Sequence, residues 1–145
     1  MINYQKILNK NMLNVLKDIL QDIKNNGLSN NNHLYITFST DHIKTEIPNW
    51  IQEKYPNEMT IVIQYEYYDI QVNKNDFLIT LSFNDINTTL KIHYDSIISF
   101  ADPSANFGLK LEQKKIKDKL KKIIKDKKIE NKKNNIINFS NYKKN

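Results

Sequence analysis

The side chains best able to do acid–base or metal chemistry are three histidines, His33, His42 and His93. Their separations match no zinc-binding pattern, and the chain has no cysteine to supply a thiolate or a disulfide. The glycines are Gly27 and Gly108, each alone, so no glycine-rich loop is available to cradle a phosphate. No serine has the surroundings of a nucleophile elbow. Glu66, Asp69 and Asp76 are carboxylates close enough in sequence to meet, but spacing alone pairs none of them. The expectation is a protein that is not an enzyme, with no catalytic residue, no metal and no cofactor. Binding chemistry is better represented. Tyr65, Tyr67, Tyr68, Phe77, Phe83, Phe100 and Phe107 offer broad apolar area with few polar groups. Such strands suit a groove for an extended peptide. The competing ligand is nucleic acid, stacked on the aromatics of a small β domain.

Charge separates these two readings. The net charge of +6 is unevenly spread. Residues 1–109 hold 8 Lys against 12 Asp and Glu, a sum of −4, while residues 110–145 hold 14 Lys against 4 acids, a sum of +10. A reader of phosphate backbones needs a positive groove, and here only the tail carries the charge. A nucleic-acid-binding β-barrel module with a basic arm therefore stands as the alternative to peptide binding. Lys, Asn and Ile abound while Arg is absent and Ala and Gly are scarce, the signature of AT-rich codons. No apolar run approaches a membrane span, and the amino terminus lacks a signal-peptide core. A soluble, cytoplasmic protein with no membrane partner is expected. A basic amphipathic helix over residues 114–129 offers only five apolar residues and no Trp to a membrane surface, and ranks last.

Periodicity supplies the elements that must position any site. Ile7, Leu8, Met12, Val15, Leu16, Ile19 and Ile23 recur at three- and four-residue spacing, predicting a helix over 3–25 with one wide apolar face. Asn25-Asn26-Gly27 is its stop signal. HLYITFS (33–39) alternates as a strand, and Pro48 and Pro56 frame a loop with one helical turn at NWIQEKY. MTIVIQYEYYDIQV (59–72) is long enough for one bent strand or two short ones. DFLITLSF (76–83) and TTLKIHY (88–94) form a hairpin about NDIN, DSIISFA (95–101) is a short helix or strand, and FGLKL (107–111) is a last strand. One helix followed by short strands predicts an α+β domain over 1–112, built on a strongly bent sheet or partial barrel.

After Glu112 the composition turns to lysine. Residues 113–133 read as a Lys-rich linker, solvated or partly helical. Residues 134–145, NNIINFSNYKKN, then end the chain on Ile136, Ile137, Phe139 and Tyr142. Apolar side chains at the end of a charged tail call for a partner.

The strand blocks resemble the SspB family, the stringent starvation protein B adaptors. HLYITFST (33–40), YPNEMTIVIQYEYYDIQV (55–72), FLITLSFNDINTTLKIHY (77–94) and FADPSANFGLKLE (100–112) carry the likeness, most specifically in the YP-x-EMTIV-x-Q and F-x-DPS-x-x-FGL blocks. The resemblance implies a Sm-like bent sheet preceded by a helix that helps form a homodimer. It also implies an adaptor that binds ssrA-tagged proteins and delivers them to the ClpXP protease. Gln64 falls where the family has a tag-contacting residue, and alternation puts Val62 on the same face. Phe107, Gly108 and Leu109 match the block at the groove's end, and Leu78 and Thr80 follow from alternation and likeness to the family. Asn84-Asp85 stands where relatives often have two glycines. The tail matches a family motif that docks on the amino-terminal zinc domain of ClpX, with Ile136, Ile137, Phe139 and Tyr142 buried and Lys143 and Lys144 meeting acidic groups. A flexible linker of roughly twenty residues would span about 25 Å.

Overall fold

The computed structural model describes residues 1–29 and 31–112. Residues Met1–Leu111 form one compact unit. The linker and the docking motif expected over 113–133 and 134–145 lie outside the described residues. Helix α1 spans Tyr4–Asn26. Asn3 caps it, its side chain accepting the Lys6 backbone N–H at 3.0 Å. Gly27 ends it at φ 77°, a conformation glycine adopts without the Cβ clash, and its N–H closes on the Ile23 carbonyl at 2.8 Å. Then follow β1 (Leu34–Ser39), a short helix α2 (Asn49–Lys54), β2 (Glu58–Ile63), β3 (Tyr67–Val72), β4 (Asp76–Phe83), β5 (Ile86–His93), β6 (Ile97–Asp102) and β7 (Phe107–Lys110). An amino-terminal helix followed by antiparallel sheets is an α+β arrangement.

The strands divide into two antiparallel sheets, one of order β2-β1-β6-β7 and one of order β3-β4-β5. The long run at 59–72 is thus two strands, and they belong to different sheets. The break falls at Gln64–Glu66, where Tyr65 takes φ 44°. The β4–β5 hairpin is tighter than NDIN suggests, because Phe83 pairs with Ile86 and the turn is Asn84-Asp85 alone. Both turn residues have positive φ, 51° and 65°. Asn and Asp tolerate the left-handed region best after glycine, so they can close a two-residue turn. Residues 94–96 are a single 3-10 turn, and strand β6 begins at Ile97.

The core comes from one face of each element. Leu34, Ile36 and Phe38 of β1 meet Ile61 and Ile63 of β2, Phe77, Ile79 and Leu81 of β4, and Leu90 and Ile92 of β5. From α1, Met12, Leu16, Leu20 and Ile23 are buried. The wide face expected of this helix is split. Ile7 and Leu8 are each 53% exposed, Val15 38%, and Tyr4 joins them at 74%. At 100° per residue the exposed set is rotated from the buried set by roughly a third of a turn. Half of the apolar stripe seals the core and half faces outward. Tyr67 ties the helix exit to the second sheet, its hydroxyl accepting the Leu28 N–H at 2.9 Å. No helix among the described residues is long and apolar enough to cross a membrane.

Candidate functional site

Alternation in β1 buries Leu34, Ile36 and Phe38 and turns His33, Tyr35 and Thr37 to the opposite face. The register then builds rows across the four-stranded sheet. Tyr35 pairs with Val62 on one side and Ala101 on the other, and Ala101 pairs with Gly108. Val62, Tyr35, Ala101 and Gly108 therefore make one row on the outer face, carried by β2, β1, β6 and β7. Three inter-strand steps of about 4.8 Å make it about 14 Å long, the reach of roughly four extended residues. The next row is Thr60, Thr37, Ser99 and Lys110. Its first two hydroxyls are hydrogen-bonded at 2.7 Å.

Size shapes the row. A Cβ placed on Gly108 would sit 3.3 Å from the Ala101 Cβ. Glycine beside alanine keeps the floor low next to the Tyr35 ring, which meets His33 edge-on at 5.3 Å. The His33 Nδ1 is buried and finds no hydrogen-bond partner among the described residues. At the other end, Gln64 is half-buried just past β2. It lines an open cleft of about 350 Å³ with Val62, Tyr65 and Glu66, facing Leu81, Ser82 and Phe83 of β4. An amide there offers a donor and an acceptor beside apolar walls.

The seven candidate residues do not all meet. Val62 and Gly108 share the row, and Gln64 adjoins it. Leu109 pairs with the buried Phe100 and packs on the core, so alternation points it away from the outer face. Phe107 lies at the strand's start with its ring 6.2 Å from Phe100. Leu78 and Thr80 are on the other sheet. There they line a separate open cleft of about 570 Å³ with Tyr68, Gln71, Thr89 and Lys24. That cleft adjoins a bulge in β3, where the register slips between Tyr68 and Gln71 and Asp69 takes φ 53°. Tyr35, Ala101 and His33 were not among the sequence candidates. The alternation of HLYITFS placed 33, 35 and 37 on one face, but only the pairing of β1 with β6 puts Ala101 beside them.

The DPS block builds the turn that delivers Gly108. Asp102 accepts from the Ser104 N–H at 3.0 Å, from the Ser104 hydroxyl, and from the Asn32 amide at 2.8 Å. Burial alone would raise this carboxyl, but these bonds and one from the Ala105 backbone outweigh it and hold it below its usual range. Asn106 then turns the chain at φ 57° into β7.

The carboxylates Glu66, Asp69 and Asp76 stay apart. Glu66 lines the first cleft, Asp69 the second, and Asp76 lies 3.9 Å from Lys91. Lys91 is closer to Glu46, at 3.2 Å, and the Glu46 hydrogen bond and charge, with the charge of Asp76, hold its ammonium above the ordinary lysine value. Among the described residues, the ligand-type side chains that converge are His42, His93 and Asp95.

Comparison with known proteins supplies a family. The model described as stringent starvation protein B (SspB) matches residues 6–144. No curated protein gives a significant match.

Proposed function

Because the chain belongs to the SspB family, a family of adaptors and not of enzymes, we propose that it binds the ssrA degradation tag and delivers tagged proteins to ClpXP. The tag lies extended over the outer face of the β2-β1-β6-β7 sheet. One observation carries this reading. Val62 and Gly108 come from two separate family blocks, yet they fall in one cross-strand row, with Gln64 beside its end. Backbone and side chains of the peptide pack on Tyr35 and over the low Ala101–Gly108 floor, while Gln64 supplies a placed hydrogen bond. Leu78 and Thr80, on the other sheet, are left out of this contact surface.

Delivery is by tethering. Ile136, Ile137, Phe139 and Tyr142 dock on the amino-terminal zinc domain of ClpX, with Lys143 and Lys144 at the rim. Residues 113–133 act as the spacer. Each contact can be weak, because holding tag and unfoldase on one molecule raises their effective concentration toward the millimolar range. The exposed stripe of Tyr4, Ile7, Leu8 and Val15 supports a homodimer through α1. Two tails per assembly then add avidity.

The test is anisotropy of a labelled ssrA peptide titrated with the full chain, beside degradation of a tagged reporter by ClpXP. Gln64→Ala weakens peptide binding, whereas deletion of 136–145 leaves binding intact and abolishes stimulated degradation. Delivery by the tail-deleted chain equal to that of the parent would refute the tethering mechanism.

A further inference from the structure

His42 and His93 are far apart in sequence and adjacent in space. The loop after β1 is tied to the edge strand β5 at three points. The Glu46 N–H donates to the Lys91 carbonyl at 2.8 Å, and the Lys91 N–H returns the bond at 3.0 Å. The His93 N–H donates to the Thr45 hydroxyl at 3.3 Å. This stitching stacks the two imidazoles, with centroids 5.4 Å apart and planes within 13°. Asp95 stands two residues beyond His93. One ligand atom from each of His42, His93 and Asp95 lies within 4.8 Å of the other two.

Hydrogen bonds select the tautomer. The Lys44 N–H donates to His42 Nδ1 at 3.2 Å, and the Asp95 N–H donates to His93 Nδ1 at 3.1 Å. A ring nitrogen has one in-plane lone pair, so each Nδ1 gives up its backbone N–H when it takes a metal; both N–H groups lie at exposed positions, where water takes over the bond. The His93 Nδ1 is 3.6 Å from the Asp95 carboxylate. Metal–ligand bonds of 2.0–2.2 Å in a tetrahedral zinc site put neighbouring ligand atoms about 3.4 Å apart. That edge is already within a few tenths of an ångström of the required length. The Asp95 side chain is 68% exposed and free to swing through the remainder. Two neutral imidazoles and a carboxylate are a donor set that zinc favours, and three protein ligands leave its fourth position to water.

We propose that His42, His93 and Asp95 form a zinc site that staples the loop after β1 to the edge of β5. The ion replaces the two long backbone N–H contacts at the Nδ1 atoms and joins groups that the Glu46–Lys91 pairing has already brought together. The site shares no residue with either cleft or with the outer-face row, so it stands or falls independently of tag binding.

The test uses the full chain free of any affinity tag. Zinc chloride is titrated by calorimetry, and cobalt(II) serves as a spectroscopic stand-in. The expected result is one zinc per chain, together with the intense visible bands of four-coordinate cobalt. His42→Ala and His93→Ala each weaken binding at least tenfold. Asp95→Asn, which keeps the side-chain shape and guards against misfolding of the histidine variants, also weakens it. His33→Ala, outside the cluster, binds as the parent does. Zinc raises the thermal midpoint of the parent and of His33→Ala but not of Asp95→Asn. An absence of binding, binding unaffected by His93→Ala and Asp95→Asn, or one zinc shared by two chains would overturn the site.

Discussion

Gly108→Val tests the proposed tag surface where it is narrowest. The new Cβ would meet the Ala101 Cβ at 3.3 Å and the Phe100 carbonyl oxygen at 3.8 Å. The first contact closes with a shift of a few tenths of an ångström. The second is ordinary van der Waals contact. Gly108 does not use the left-handed backbone region, so valine is not strained there, and β-branched residues favour strands. The fold should survive with a change in stability within about 1 kcal/mol. The two methyl groups, however, stand up from the floor of the Val62–Tyr35–Ala101–Gly108 row. A tag residue that buried its side chain there loses about 1.5–3 kcal/mol, or roughly 10- to 150-fold in Kd. Anisotropy of a labelled ssrA peptide measures that loss, with far-UV circular dichroism and a melting curve on the same sample to establish folding. Gly108→Ala, adding a single carbon, should fall between valine and the parent. A folded Gly108→Val chain that binds the peptide within twofold of the parent would refute the assignment of this row.

Three other substitutions probe the frame around the site. Tyr94 is 3% exposed, its hydroxyl has no hydrogen-bond partner among the described residues, and burial together with the charge of Asp76 pushes its pKa up to about 12. Tyr94→Phe removes the unsatisfied group and should raise stability by about 1 kcal/mol in a denaturant titration. The Asp102 carboxyl is held below its ordinary value of 3.8, so the folded state prefers the ion. Its contribution is complete above that value and is lost as pH falls through the lower folded value. The stability gap between parent and Asp102→Asn, about 2 kcal/mol at neutral pH, should therefore shrink only below pH 3.8. Leu8→Glu places a charge in the exposed stripe of α1 without touching the buried set. It should convert a dimer to a folded monomer in analytical ultracentrifugation, while a parent chain that is itself monomeric at micromolar concentration would remove the role given to the stripe.

Elements with strong periodicity were legible in the sequence, because alternation and helical spacing are local. The helix, the strand at 34–39, the helical turn between the prolines and the hairpin strands all follow from them. What alternation cannot reveal is which strands pair. The run at 59–72 reads as continuous, and only the left-handed Tyr65 divides it between two sheets. NDIN suggests a four-residue turn, but the β-branched Ile86 pairs with Phe83 and leaves Asn84 and Asp85 alone to close it. Family blocks point to Gln64 and Gly108, and alternation from Gln64 adds Val62. Neither points to Ala101 and Tyr35, because their place in the row depends on β1 lying between β2 and β6. Likewise His42 and His93 look scattered until the Glu46–Lys91 pairing folds one onto the other.

The left-handed positions have a consequence for how such a chain can evolve. Glycine codons are rich in G, and a genome drifting toward A and T leaves few of them; this chain keeps two. Among the described residues, Asp69, Asn84, Asp85 and Asn106 meet the demand for positive φ instead. Asn and Asp are the substitutes that AT-rich codons keep in supply and that the left-handed region tolerates. Mutational drift therefore changes the residues at tight turns without changing the turns. Tyr65 is the exception, since a tyrosine gains nothing at φ 44°. At that position, next to Gln64 and between the sheets, the left-handed turn holds an aromatic ring out to solvent.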